Sequence, residues 1–184
     1  METPETRIIF SGTVQGLFHI ALQGRLSEAA RSALREEGLD LDGDLMPAYP
    51  ITTWLRCLDI ARRDVWPDLP ADESWRKLGH TVIEGVLATM LGKVLVAASK
   101  ALGPRHSISQ FQRAFRGSDN YVQLKVTERS PRSHELWIND ILDRPVYYTG
   151  LLEASLMAMG VREPRVSVLR REGAACTFLL EWDA

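Results

Sequence analysis

Near Asn120 the hydrophobic period of this chain changes from 3.6 to 2, and that change restricts the folds open to it. In YVQLKVTE the apolar Val122, Leu124 and Val126 alternate with Tyr121, Gln123, Lys125 and Thr127, as one face of a strand requires. Ser130-Pro131 turns the chain into a second strand, HELWINDI. Pro145 then stands at a first-turn position ahead of VYYTGLLEASLMAMG, where Tyr148, Leu151, Leu152, Ser155, Leu156 and Met159 form a stripe that Gly160 caps. PRVSVLRRE and CTFLLEW complete the run as a hairpin about Gly173. The expected order over residues 121–183 is strand, strand, helix, strand, strand.

The first half reads as helix. RIIFSGTVQGLFHIAL is a short extended run entering a helix, and Ala29, Ala30, Ala33 and Leu34 give a helix over 27–37 that Gly38 stops. Thr52 or Thr53 can cap a helix with Trp54, Leu58, Ala61 and Val65 on one face. From Asp72 to Leu102 the apolar positions predict one long central helix ended by Gly103-Pro104, with a short helix over 107–115 after it. Gly79, Gly85 and Gly92 inside it cost about 1 kcal/mol each, so they mark a break or the close approach of another element. With helices first and strands second, the class is α+β: a helical part (1–118) packed on a four-stranded antiparallel sheet part (119–184). The 184 residues suffice for one core, so a single domain over 1–184 is expected.

Charge and cysteine usage exclude several roles. The formal net charge of −2 gives no general attraction to nucleic acid or anionic membrane. Residues 104–132 nonetheless sum to +4, and Arg113 and Arg116 there are the candidate contacts for an acidic protein partner. Cys57 and Cys176 are the two thiols, too few and too far apart in sequence for a disulfide framework or a structural zinc site. METPETRIIF has acids where a signal peptide needs bases, and no apolar run reaches the roughly 18–20 residues that span a bilayer, so a cytoplasmic location is expected.

No catalytic motif withstands inspection. Gly85 and Gly92-Lys93 are separated by six residues rather than the four of a phosphate-binding loop, Val94 stands where a magnesium-binding hydroxyl belongs, and the context is helical. Gly12 and Gly16 lack the third glycine of a dinucleotide site. His80 and Glu84 are four apart on one helix face, as a metal or acid-base pair would be, but two side chains make no metal site and a helical ion pair explains them. No serine lies in a GxSxG elbow, and Asp140 and Asp143 fit turn chemistry. The aromatics of several elements are more informative: Trp54, Trp75, Trp137 and Tyr148 are the candidates to line an apolar pocket between helices and sheet, though the same residues would fill an ordinary core.

NYVQLKVTE, HELWINDI, the YYTGLL helix, PRVSVLRREG and CTFLLEW together resemble the closing unit of the heme nitric-oxide/oxygen-binding domains and of the vinyl-reductase-like ligand-binding domains, over about residues 107–183. IFSGTVQGLF, the stretch with Gly79 and Gly85, and the RGSDNY turn resemble a myxobacterial paralogous family of unknown function over the full length. The first resemblance implies a proximal histidine on the helix before the first strand and a Tyr-x-Ser-x-Arg contact at the end of the second. This chain departs at both: His106 follows Gly-Pro, and WINDILDR has the arginine without the tyrosine and serine. No cofactor is therefore expected, heme included, and His106 is the one histidine to test as a heme ligand. The resulting expectation is a non-catalytic sensory or regulatory module with room for a small apolar ligand and with a protein partner or a second copy beside it. A ligand-free interaction or scaffold subunit, and an enzyme whose groups meet only in three dimensions, stay open.

Overall fold

The computed structural model describes residues 6–109, 111 and 117–183. Strand β1 (Ile8–Phe10) pairs antiparallel with β2 (Ala48–Pro50). Between them lie α1 (Ser11–Gln15), a π-helical segment (Gly16–Ala21) and α2 (Glu28–Glu36). Ser27 caps α2 by accepting from the Ala30 N–H at 3.1 Å, and Asp64 at the end of the next helix accepts from the Ser27 hydroxyl and backbone N–H. Then follow α3 (Ile51–Val65), α4 (Ala71–Ala88), α5 (Met90–Leu102) and α6 (Pro104–Ile108). The second half is β3 (Leu124–Ser130), β4 (Ser133–Ile138), α7 (Pro145–Ala158), β5 (Arg165–Glu172) and β6 (Ala175–Glu181).

The sheet has the order β3-β4-β6-β5, all antiparallel, so the α+β architecture and the strand-strand-helix-strand-strand order are as the sequence implied. Its register sets Leu136 opposite Phe178 and Ile138 opposite Cys176, which brings Leu136, Ile138, Phe178 and Leu180 to one fully buried face. Cys57 and Cys176 are free and buried, and burial pushes the Cys57 thiol up to about 12. Among the described residues no single helix is long and apolar enough to cross a membrane.

The long helix expected over 72–102 is two helices. The break falls at Thr89, and α4 and α5 are bent by 99°. Thr89 is extended (φ −65°, ψ 160°); its hydroxyl donates to the Val86 carbonyl that ends α4 and accepts from the Gly92 N–H that begins α5. One side chain thus serves the orphan groups of two helix ends, which an apolar periodicity cannot reveal. Gly92 tucks into the corner, where a Cβ would stand 2.2 Å from the Val86 oxygen.

Gly79 stays inside α4 and marks the other possibility, a close approach. A Cβ on Gly79 would lie 2.2 Å from the Tyr147 carbonyl oxygen, and one on Gly150 of α7 would lie 2.0 Å from the Arg76 oxygen. The two helices meet backbone to backbone through reciprocal glycines. Six residues further along α4, Gly85 makes the same contact with Gly16 of the π-helical segment, at 2.0 Å from its oxygen.

Beside the α4–α7 crossing, Glu153 of α7 is 4% exposed and accepts from both sides of the Arg76 fork, with His80 Nε2 at 3.0 Å. His80 is therefore directed across to α7 rather than along its own helix to Glu84. Burial raises the Glu153 carboxyl, but the hydrogen bonds from His80 and Arg76 outweigh it, and the net shift is downward.

Two predictions follow from this crossing. Gly79→Ala should cost about 2–3 kcal/mol of unfolding free energy, because both neighbours are backbone and cannot rotate away. Gly12→Ala, with nothing within 4 Å of its Cβ, should be neutral or stabilising by up to about 1 kcal/mol in the same denaturant titration; equal losses would contradict the crossing. Glu153→Gln should cost about 2 kcal/mol at neutral pH, the half-exposed Arg76 moderating the loss. A depressed carboxyl contributes stability above its unfolded pKa and loses it as pH falls, so the difference between Glu153→Gln and the parent should shrink below about pH 4.

Candidate functional site

A cavity of about 480 Å³ lies between the helical half and α7. The last turns of α4 supply Val82, Ile83, Val86 and Leu87; α5 supplies Leu95, Val96, Ser99 and Leu102; α7 supplies Tyr147, Tyr148, Leu151 and Ser155, with Met159 just past its end. The 99° bend at Thr89 makes the space, since α5 turns away from α4 instead of continuing it. The glycine contacts hold α4 against α7 and the π-helical segment, so the walls on that side are fixed by backbone. The wall made by α5 is less supported: Met90 is 87% and Val94 65% exposed, with apolar side chains facing outward as well as inward.

One end of the cavity is polar. Residues 118–120 run beside β1, with Phe10 N–H donating to Ser118 O at 2.9 Å, Ile8 N–H to Asn120 Oδ1 at 2.9 Å, and Ile9 bridged to Asp119. This places Asp119 at the cavity wall, 8% exposed, where its Oδ1 accepts the N–H groups of Tyr121 (3.1 Å) and Val122 (2.8 Å). Burial raises its carboxyl against the lowering effect of those two bonds. Tyr121, Tyr147 and Tyr148 stand close enough to feel its charge, and burial together with that charge pushes all three phenols upward. Trp54 stands beside Tyr147, and Tyr121 beside Tyr148.

Of the aromatics singled out in sequence, Trp54 and Tyr148 line this cavity. Trp75 and Trp137 do not, and that expectation is corrected. Trp75 is buried on the far side of Tyr147, edge-on to it, with the guanidinium groups of Arg62 (5.0 Å) and Arg144 (5.2 Å) over its ring. Trp137 follows the strand alternation to the outer face of the sheet, because Leu136 and Ile138 take the core side, and the Lys125 ammonium lies 4.9 Å from its ring. Arg113 and Arg116 lie outside the described residues. Asp140 and Asp143 do hold the turn into α7, Asp140 by accepting from Leu142 N–H and pairing with Arg7, Asp143 by pairing with Arg171. Asp119, Ser107 and the inner face of α5 were not singled out from the sequence. The RGSDNY turn was the available signal for Asp119, but nothing in its composition separates a cavity wall from an exposed loop.

None of the described lining residues is a histidine. His106 lies within α6, not outside a helix, and is exposed while its neighbour Ser107 faces the cavity. His134 stacks on Trp182 at 5.4 Å, His19 meets the Leu41 carbonyl and His80 meets Glu153. The described lining groups able to ligate a metal are the Asp119 carboxylate, the phenol oxygens and the Met159 thioether, a set that does not make a histidine-held heme site.

Solved structures similar to this chain are H-NOX domains. An H-NOX protein from S. oneidensis in the Fe(II)NO ligation state is 11% identical, with 94% of this chain and 99% of that one covered at a TM-score of 0.64. An oxygen-binding H-NOX domain related to soluble guanylate cyclases, as its oxygen complex, is 14% identical, with 95% and 93% covered and a TM-score of 0.61. A structure described as modulating heme redox potential through protein-induced porphyrin distortion is 15% identical, with 94% and 95% covered at 0.63. These likenesses establish the fold over nearly the whole chain, not only over its last third. They overturn the expectation that heme has no place here, because the fold itself is one that accommodates heme in its solved members. No curated protein matches the chain. The family described as "Protein of unknown function (DUF2378)" matches residues 7–183, and the chain belongs to that family.

Proposed function

We propose that this protein is a non-catalytic sensory domain that takes a small apolar ligand into the cavity between α4, α5 and α7 and reports its presence to a partner protein. The observation that carries this reading is a space of about 480 Å³ walled almost wholly by apolar side chains, within the range that encloses one small molecule. A dry void of that size forfeits packing contacts on every side, which an occupant restores. The H-NOX fold supports the reading, since similar structures are described as an Fe(II)NO ligation state, an oxygen complex and a protein-distorted porphyrin.

The occupant orders α5, the wall with most outward apolar surface, and thereby shifts the basic stretch that follows it. Arg113 and Arg116 are the partner contacts in this proposal, and the partner is an acidic protein surface or a second copy. The setting proposed is the cytoplasm of myxobacteria, with residues 1–184 acting as one unit. A second reading, a ligand-free interaction subunit, draws on exposed Met90, Val94 and Leu102 of α5 and on Val168 and Leu169 of the edge strand β5. Mass that rises with protein concentration, together with an inert cavity, would favour it.

Titration with Nile red, followed by its emission, and with hemin, followed by absorbance, tests the leading reading. One probe should bind per chain, and Val86→Trp, which fills the cavity from the end of α4, should weaken Nile red binding by about tenfold or more. Trp137→Ala, on the outer face of the sheet, should leave binding unchanged. Binding that ignores Val86→Trp, or no binding of either probe, would sink the proposal. A Soret band at one hemin per chain would identify a tetrapyrrole as an occupant.

A further inference from the structure

We infer that the molecule held in the cavity carries a cationic nitrogen, which the carboxylate of Asp119 receives. This rests on the reading of the cavity as a ligand site. Asp119 is the one formally charged side chain among the described lining residues, in a wall otherwise of hydrocarbon, hydroxyl and phenol groups. It is 8% exposed and no Lys, Arg or His of the described residues acts on it; what it has is two backbone N–H bonds on Oδ1.

Those two bonds are the strand-entry turn at residues 119–122, and the turn does not require a charge. The side-chain carbonyl of an asparagine would accept the same two N–H groups. What the carboxylate adds is negative charge at the end of an apolar space, and a buried charge without a counterion is costly unless something positive comes to it. Among the described residues no side-chain cation acts on Asp119; the Arg7 guanidinium lies over the Tyr121 ring and is paired with Asp140. A cationic group on a bound ligand would meet that charge. The Tyr121, Tyr147 and Tyr148 rings beside Asp119 suit the same partner, since their faces attract a desolvated ammonium while their hydroxyls can accept from it. An anionic ligand would meet repulsion at this end, and a neutral one would leave the charge bare.

Displacement of Nile red by decylamine, decanol and decanoate at neutral pH separates the possibilities, because the three share one apolar tail. Decylamine should displace the probe about tenfold or more tightly than decanol, with decanoate weakest. Asp119→Asn, which keeps the turn's acceptor, should bring decylamine to the level of decanol, leave decanol unchanged and melt at or above the parent temperature. Equal displacement by decylamine and decanol in the unaltered protein, or a preference that survives Asp119→Asn, would overturn the inference while leaving the apolar cavity intact. Failure of all three to displace bound Nile red, or of Nile red to bind, would overturn the cavity reading and this inference with it.

Discussion

The crossing of α4 and α7 at Gly79 and Gly150 is the contact on which the other features depend. Each glycine leaves room for the other helix's carbonyl where a methyl group would stand within 2.2 Å of it. Such an approach forfeits about 1 kcal/mol of helix propensity per glycine and regains it through close packing of two helices that are buried along most of their contact. The Arg76, His80 and Glu153 cluster sits beside the crossing and fixes its register, since a buried carboxylate tolerates few positions relative to its donors. A second glycine pair, Gly16 with Gly85, ties the π-helical segment to the same helix. α4 is thus held on two sides by backbone contacts, while α5 is tied at its start by Thr89 and near its end by Ser107 of α6, whose hydroxyl donates to the Ser99 carbonyl.

This asymmetry explains how a cavity persists in a well-packed chain. Where glycines permit close approach, there is no space; past Thr89, where the chain bends through 99°, α5 spans a gap that its inner residues do not fill. The gap ends against the 118–122 turn, which pairs with β1 through Ser118, Asp119 and Asn120 and so carries a carboxylate into an apolar wall. The fold puts rigid walls, a weakly supported wall and one charge around the same space. That combination is what the proposed reversible binding with a conformational report would draw on.

Much of the architecture was legible in sequence. The period-2 alternation of β3 and β4, Pro145 ahead of α7 and the Gly173 hairpin each act locally, so they point to the right elements without knowledge of neighbours. The α4–α5 break was not legible, because the apolar pattern runs through it and the deciding group is a single threonine hydroxyl bonded to both helix ends. The aromatics were half legible. Trp54 and Tyr148 share the cavity, but Trp137 is sent outward by strand parity and Trp75 is drawn away to two guanidinium groups, both consequences of tertiary placement. Asp119 was invisible as a site residue for a related reason: its turn chemistry reads the same whether the turn faces water or a cavity. Heme was not legible either, because the motif departures are local to the second half while the likeness to heme-holding folds extends over nearly the whole chain.

Amide hydrogen exchange with and without saturating Nile red tests the central claim most directly, namely that α5 is the responsive wall of a ligand cavity braced by the α4–α7 crossing. Residues 90–102 should exchange rapidly in the free protein and gain protection of about tenfold or more when the probe is bound, while the amides around Gly79 and Gly150 stay protected in both states. Exchange of α5 that is unaltered at saturation, or protection that appears only at the exposed face of the sheet, would contradict it.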